Sequence, residues 1–390
     1  MKKKWTTFPP KANQPLADNP SGSKRVVVTK ELPGNAWKKI LSQAACQVEV
    51  CTSLDALAAN ELRSAIGTHC DGVIGQLNEV WNNDLLSALN AAGGKVYCNY
   101  AVGFNNVDVA AATSLRIAIG NTPEVLTETT AEMGVALTFA AARRIAEADT
   151  FVRAGKFTGW QPSLFLGELL AGKTLGVVGA GRIGSAYAQM MVEGHKMNLI
   201  YFNTKPNVAL EKYFVSYGKF LSSQGQTAVR CTMASTIEEL LSAADVVALF
   251  PALNEKTHHL INRKRLSLMK ENAILVNLSR GPVIDEAALV NHCTRHPNFR
   301  VGLDVYENEP AMEKGLRELP NIVLAPHLGS ATLWTRENMA VLAARNLAAV
   351  LNGYPAWNGS GIMKFLGEHP PKAAPSIINA RDLGMTFSHQ

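Results

Sequence analysis

Three short segments of the 390-residue chain end apolar runs and carry side chains suited to acid–base chemistry. They are Asn277-Leu278-Ser279-Arg280-Gly281, Asp304-Val305-Tyr306-Glu307-Asn308-Glu309-Pro310 and Pro326-His327-Leu328-Gly329-Ser330. An arginine offers a planar fork of donors that fits a carboxylate and polarises a neighbouring carbonyl. A histidine can protonate a nascent alkoxide, and a carboxylate beside it favours the charged imidazole that carries the proton. Arg280, Glu309 and His327 are therefore the candidate catalytic set, and the chemistry they suit is reduction of a 2-keto acid. Singly, each has an ordinary explanation: a surface ion pair, a turn carboxylate, a satisfied histidine. Their recurrence at successive strand ends carries the reading.

Such a reduction needs a hydride donor, and the stretch TLGVVGAGRIGSAYAQMMVEGHKMNLIYFN at 174–203 reads as a place to hold one. Residues 175–178 form a short apolar strand pattern, and Gly179, Gly181 and Gly184 follow in G-x-G-x-x-G spacing. A helix is predicted over 183–193, ending near Gly194, and a second strand over 199–202. In such a βαβ unit the first glycine permits a tight turn and the second lets the backbone approach a pyrophosphate. The third lets the helix, whose N-terminus faces the phosphates, pack on the strand. Where a carboxylate usually takes the adenosine ribose hydroxyls, this chain has Asn203, followed by Thr204 and Lys205. NADH is the expected cofactor. Without the negative charge a 2′-phosphate is less strongly excluded, so NADPH stands beside it.

Strand patterns at 26–29, 48–50, 72–75, 95–98 and 117–119 alternate with helical stretches such as 36–45, which predicts a first α/β domain around a parallel sheet. Two strand ends there, Gly75-Gln76-Leu77 and Ala101-Val102-Gly103, could present backbone N–H groups to a carboxylate. A Thr129-x-x-Glu132 capping box opens a helix predicted to run to about Ala154, closed by Gly155 and buried around most of its circumference. Residues 157–165 form a loop with Trp160, 208–226 exceeds a minimal connection, and strands are predicted at 246–250, 273–277, 301–304 and 322–325. A helix at 334–351 and a Pro- and Gly-rich tail complete the chain. The fold expected is α/β, with two Rossmann-like parallel-sheet domains and the active site in a cleft between them. A disordered lead occupies 1–23, a discontinuous substrate domain 24–121 plus 336–390, and a dinucleotide-binding domain 122–335.

The net charge of +6 is scattered, and the basic run Lys2 to Lys4 has no interleaved aromatics, which argues against a nucleic-acid surface. No apolar stretch approaches a membrane span, so a soluble protein is expected. Cys46, Cys51, Cys70, Cys98, Cys231 and Cys293 form no C-x-x-C pair, and are read as reduced, mostly buried thiols of an intracellular protein. No metal ligand set is assigned.

The segments GAGRIG, SRGPVIDEAAL, LDVYENEP and APHLGSAT resemble signatures of the D-isomer-specific 2-hydroxyacid dehydrogenase family, and the resemblance covers roughly residues 24–360. Within the family, CDGVIGQL, LTETTAE, GRIGSAYAQMMVEG, MNLIYF, ALEKYFVSYGKFL and RGPVIDEAALV are similar to the plant and algal hydroxypyruvate reductases, or glycerate dehydrogenases. The resemblance implies reduction of hydroxypyruvate to D-glycerate, with slower glyoxylate reduction, in photorespiratory-type metabolism. It makes Arg280 the substrate-binding and polarising arginine, His327 the acid/base and Glu309 its partner. Val102 and Gly103 match the substrate-carboxylate loop, with Gly75, Gln76 and Leu77 nearby. For the cofactor it places Arg182 and Ile183 at the pyrophosphate, Asn203, Thr204 and Lys205 at the adenosine ribose, and Pro251 and Ala252 over the adenine side. Leu278, Ser279, Arg280, His327 and Gly329 fall near the nicotinamide, and Asp304 at its carboxamide. It also implies a homodimer joined through the dinucleotide-binding domain, with Trp160 on an arm that reaches the partner. Two departures stand out. Asn203 replaces the family's usual Asp, and Ser388-His389-Gln390 replaces a peroxisomal S-K-L, so a mitochondrial or cytosolic location is expected. The competing readings are a phosphoglycerate dehydrogenase-like enzyme, which needs a further cation for the substrate phosphate, and an NADH-sensing corepressor-type binding protein on the same fold.

Overall fold

Apolar runs too short for helices and buried on both faces make the strands of this chain, and the helices between them return the chain for the next parallel strand. The computed structural model describes residues 16–19, 21–53, 55–359 and 361–388. They divide into two units, one up to Val125 and again from Thr332, the other Leu126–Ala331.

The first unit contains β1 (Leu16–Asp18), β2 (Lys24–Val28), α1 (Ala36–Gln43), β3 (Cys46–Val50), α2 (Ala59–Ile66), β4 (Gly72–Gly75), α3 (Asn83–Ala91), β5 (Val96–Asn99), α4 (Val109–Ser114) and β6 (Ala118–Gly120). Its sheet runs β1-β3-β2-β4-β5-β6. Every pair is parallel except β1 with β3, where Leu16 faces Val50. β1 corrects the irregular lead-in expected for 1–23. An edge strand is held by main-chain hydrogen bonds and needs no apolar period, so composition does not announce it. Residues 1–15 of that lead lie outside the described residues.

The second unit contains α5 (Thr127–Ala142), α6 (Ile145–Arg153), β7 (Thr174–Val178), α7 (Arg182–His195), β8 (Asn198–Phe202), α8 (Val208–Ser223), β9 (Cys231–Met233), α9 (Ile237–Ala243), β10 (Val246–Leu249), α10 (Arg263–Leu266), β11 (Ile274–Asn277), α11 (Glu286–Arg295), β12 (Arg300–Leu303) and β13 (Ile322–Leu324). The all-parallel order β13-β12-β11-β10-β7-β8-β9 reverses direction between β7 and β10. That reversal is the switch point at which doubly wound sheets bind their ligands. Two cores line the sheet, one including Leu137 and Met191 of α5 and α7, the other Leu240 and Leu289 of α9 and α11.

Three local expectations are corrected here. The single helix at 129–154 is two: Arg144 takes φ 56°, its guanidinium lies 2.6 Å from Glu147, and the Glu168 N–H caps the Ala142 carbonyl at 2.9 Å. That cap takes the place of an intrahelical bond. The helix opens at Thr127 rather than at the capping box, and only α5 is buried, α6 having no buried residue. α7 runs through Gly194 to His195 and stops at Lys196, which adopts the left-handed φ of 53°.

The chain then returns to the first unit. α12 (Leu333–Leu351) packs on α1 and on β4 and β5, burying Leu342 and Leu347 completely. The tail is structured as well. β14 (Ala356–Trp357) pairs with β15 (Phe387–Ser388), and Asn379 accepts the Ile119 N–H at 2.9 Å while donating to the Ile117 carbonyl at 2.9 Å. Side-chain amides hold this tail where apolar periodicity is weak. Among the described residues no disulfide forms and five of the six cysteines are buried; burial pushes the thiols of Cys46 and Cys70 up to about 11. No helix among the described residues is long and apolar enough to cross a membrane.

Candidate active site

The glycine loop follows β7. Gly179 has φ 90°, and a methyl there would lie 2.8 Å from the carbonyl carbon of Phe250 and from the nitrogen of Pro251, so this turn excludes any side chain. Pro251 is thereby set directly against the loop. A methyl on Gly184 would lie 2.4 Å from the Gly179 carbonyl oxygen, which is the close helix–strand approach read from the sequence. At Gly181 a methyl would meet no protein atom within 4 Å, and Gly181 is also the N-cap of α7. The open face of the loop is thus beside the first turn of a 14-residue helix, with Arg182 and Ile183 at its start. These features fit a dinucleotide pyrophosphate.

Asn203 directly follows β8 and is used in shaping this loop. Its Oδ1 accepts the Ala180 N–H at 2.8 Å, and its Nδ2 donates to the Ala180 carbonyl at 3.3 Å. Asn207 adds a donor to the same carbonyl at 2.8 Å and another to Ser185 Oγ at 3.0 Å. Thr204 and Lys205 are exposed. Asn207 was not singled out from the sequence. It caps α8 through the Leu210 N–H, and an Asn preceding a helix was the available signal.

Arg280, Glu309 and His327 all lie on loops that follow strands at one edge of the second unit's sheet: β11, β12 and β13. His327 Nδ1 is 3.0 Å from Glu309 Oε2, and Glu309 Oε1 accepts the Tyr306 N–H at 3.0 Å. Burial alone would raise the Glu309 pKa. The hydrogen bond and charge of His327, the Tyr306 N–H and the Arg280 charge outweigh burial and hold it below the usual glutamate value. With Nδ1 tied, Nε2 is the imidazole nitrogen left to meet a ligand. Arg280 donates to the Ser279 carbonyl at 2.7 Å, and burial lowers its pKa against the opposing pull of Glu309.

The backbone around these groups is fixed by Asn277, which sequence reasoning did not assign a role, and by Asp304, which it placed at the nicotinamide carboxamide. Asn277 is fully buried; its Oδ1 accepts the Ser279 N–H at 3.0 Å and hydroxyl at 2.7 Å, and its Nδ2 donates to the Arg280 carbonyl at 2.9 Å. An Asn at a strand end with Ser two residues on is the turn signal that could have found it. A methyl on Gly281 would lie 1.8 Å from the Tyr306 carbonyl carbon, so the loops after β11 and β12 touch with no space between them. Asp304 is also buried, and its oxygens accept the Leu328 and Gly329 N–H groups at 2.6 and 2.7 Å, fixing the turn that carries His327 at φ 56°. Burial raises the Asp304 pKa, partly offset by those two donors. Both its oxygens are therefore engaged by protein. The Leu278 side chain is buried, so that residue can offer a ligand only its main chain. Pro251 is partly buried and Ala252 exposed in the loop after β10.

In the first unit, Gly75 ends β4 and Gln76 and Leu77 follow it, while Val102 and Gly103 follow β5. One polar network supports both turns. Asn106 donates to the Gln76 carbonyl at 3.2 Å and the Glu79 carbonyl at 2.9 Å, and Asn99 donates to the Gly103 carbonyl at 2.8 Å and to Asn106 Oδ1 at 3.0 Å. Buried Glu79 accepts the Gln76 N–H at 3.0 Å, and burial raises its pKa. The Val102 carbonyl takes a bond from Asn121 at 2.9 Å, so N–H groups are what the 102–103 turn can offer an anion.

Residues 135–329 match the family model described as D-isomer specific 2-hydroxyacid dehydrogenase, NAD binding domain. The chain is 54% identical over 370 residues to a protein named glycerate dehydrogenase from Cucumis sativus, spanning 94% of this chain and 97% of that one. It is 54% identical over 374 residues to a protein of Arabidopsis thaliana named glycerate dehydrogenase HPR, peroxisomal, spanning 95% and 97% of the two chains. Among solved structures, the TT0316 protein of Thermus thermophilus superposes with a TM-score of 0.76 at 36% identity, over 91% of this chain and 99% of that one. The chain belongs to the D-isomer specific 2-hydroxyacid dehydrogenase family.

Proposed function

We propose that the chain is an NAD(P)H-dependent hydroxypyruvate reductase that forms D-glycerate, with slower reduction of glyoxylate to glycolate. The observation that carries the reading is the Glu309–His327 pair at 3.0 Å on adjoining strand-end loops with Arg280. The relatives named glycerate dehydrogenase support the choice of substrate. The bound reduced nicotinamide supplies the hydride. Arg280 holds the substrate carboxylate and polarises the C2 carbonyl. In the first unit, the N–H groups of Val102 and Gly103, with Gly75, Gln76 and Leu77 beside them, are suited to a carboxylate. As C2 gains the hydride, the carbonyl electron pair moves onto oxygen, which takes the proton from His327 Nε2. Glu309 stabilises the imidazolium before transfer. Glyoxylate offers less binding energy to the transition state and is turned over more slowly.

Gly179, Gly181, Arg182, Ile183 and Gly184 hold the pyrophosphate, and Pro251 and Ala252 flank the adenine. Leu278, Ser279, Asp304 and Gly329 form the nicotinamide end, with Asp304 acting through the turn it holds. Asn203, Thr204 and Lys205 meet the adenosine ribose. An amide in place of a carboxylate there supports use of NADPH beside NADH. Ile145, Val152, Phe157, Trp160, Leu166 and Leu169 expose large apolar surfaces along one stretch, Trp160 at 84%, which supports a homodimer formed through this unit.

Steady-state oxidation of NADH and NADPH with hydroxypyruvate, glyoxylate, pyruvate and 3-phosphohydroxypyruvate tests the reading. Turnover is expected mainly with hydroxypyruvate. No turnover with any of the four, together with dinucleotide-dependent capture of protein partners, would replace the enzyme by a nucleotide sensor.

A further inference from the structure

Three ligand-bearing side chains of the second unit, none of them part of the glycine loop or the His327 set, converge. His258 and His259 lie on the loop after β10, and Glu307 on the loop after β12. One nitrogen from each imidazole and one carboxylate oxygen of Glu307 lie within 4.8 Å of one another. His259 Nε2 is 2.6 Å from Glu307 Oε1, and the two imidazoles stack with centroids 4.1 Å apart. The main chain fixes both sides. The His259 N–H donates to the Pro282 carbonyl at 2.7 Å with φ 47°, and the Glu307 N–H donates to Glu286 Oε1 at 2.9 Å while Glu307 Oε2 accepts the Glu286 N–H at 3.2 Å.

We propose that His258, His259 and Glu307 form a binding site for a divalent transition metal, Zn2+ foremost. Two imidazoles and a carboxylate are the donor set of a zinc centre that keeps one position for water. Magnesium and calcium prefer all-oxygen cages, and there is no thiolate here for softer ions. Ligand atoms around a tetrahedral zinc stand about 3.3 Å apart, so small side-chain rotations bring the three donors into place. The bound ion clips the loop bearing Pro251 and Ala252 to the loop bearing Glu309. Its first effect is to stabilise this unit, since a ligand that binds only the folded chain raises its melting temperature.

The test is calorimetric titration of the chelator-treated full-length protein with ZnCl2, paired with thermal melts. One site per chain and a rise in Tm are expected, with affinity at least tenfold weaker in His258→Ala and in Glu307→Gln. His258 is exposed, so His258→Ala leaves folding intact. The pair His292 on α11 and His296 at its C-cap, with rings 4.4 Å apart, is the competing chelator, and wild-type affinity is expected in a variant carrying both His292→Ala and His296→Ala. Zinc binding unchanged in His258→Ala and Glu307→Gln, or lost only with the α11 pair, would overturn the proposal and leave His259 and Glu307 as a plain ion pair.

Discussion

Glu309 divides its carboxylate between His327 and the Tyr306 main chain, Oε2 standing 3.0 Å from Nδ1 and Oε1 taking the Tyr306 N–H at 3.0 Å. The carboxylate therefore sets the orientation of the imidazole. Glu309→Gln keeps the shape and removes the charge. In that variant kcat for hydroxypyruvate reduction is expected to fall about 10- to 100-fold. His327→Ala should cost more than about 100-fold. A Glu309→Gln kcat equal to that of the wild type would remove Glu309 from the proton transfer.

Arg280 is a fork rather than a point charge, and that distinction can be measured. Arg280→Lys retains a cation but loses paired donation to a carboxylate, in a place where burial disfavours charge. The KM for hydroxypyruvate should rise about tenfold or more, equivalent to about 1.4 kcal/mol, while the KM for NADH changes little. A larger change in the cofactor KM would move Arg280 from the keto acid to the dinucleotide.

Asn203→Asp tests the cofactor reading. The new carboxylate can still accept the Ala180 N–H, but it loses the donor to the Ala180 carbonyl and adds a negative charge where the proposed function puts the adenosine ribose. The ratio of kcat/KM for NADPH to that for NADH should fall by about tenfold or more, as expected when a negative charge meets the 2′-phosphate. An unchanged ratio would confine Asn203 to shaping the loop.

Asp245 holds the start of β7, accepting the Thr174 N–H at 2.8 Å and the Lys270 ammonium at 2.8 Å. Burial by itself would raise its pKa, yet those two donors and the nearby lysine charges bring it below the usual aspartate value. Its stabilisation is thus complete above the unfolded value of ~3.9 and fades as pH falls through the lower folded value. Asp245→Asn should destabilise the protein by about 1 kcal/mol at pH 7, allowing for solvent screening. Denaturant melts should show that difference shrinking below about pH 4, where the wild-type group begins to protonate. A difference that persists undiminished at low pH would point to packing instead of charge.

The glycine loop could be read directly because its chemistry is local: each glycine answers a contact within the same βαβ unit. The strand ends that carry Arg280, Glu309 and His327 were readable because apolar runs locate them. What the sequence hid depends on distant partners. The break at Arg144 turns on Glu168, and β1 turns on a neighbouring strand edge. Asn277 and Asp304 build turns with residues that composition cannot bring to them.

The absence of room between Gly281 and Tyr306 bears on how this site responds to change. The segment carrying Arg280 and the segment carrying Glu309 cannot shift independently, so substitutions in the two should show non-additive free energies in a double-mutant cycle. Carboxylate recognition and proton supply then adapt together. An altered reach for a different keto acid, made at Arg280, is felt by the acid at His327.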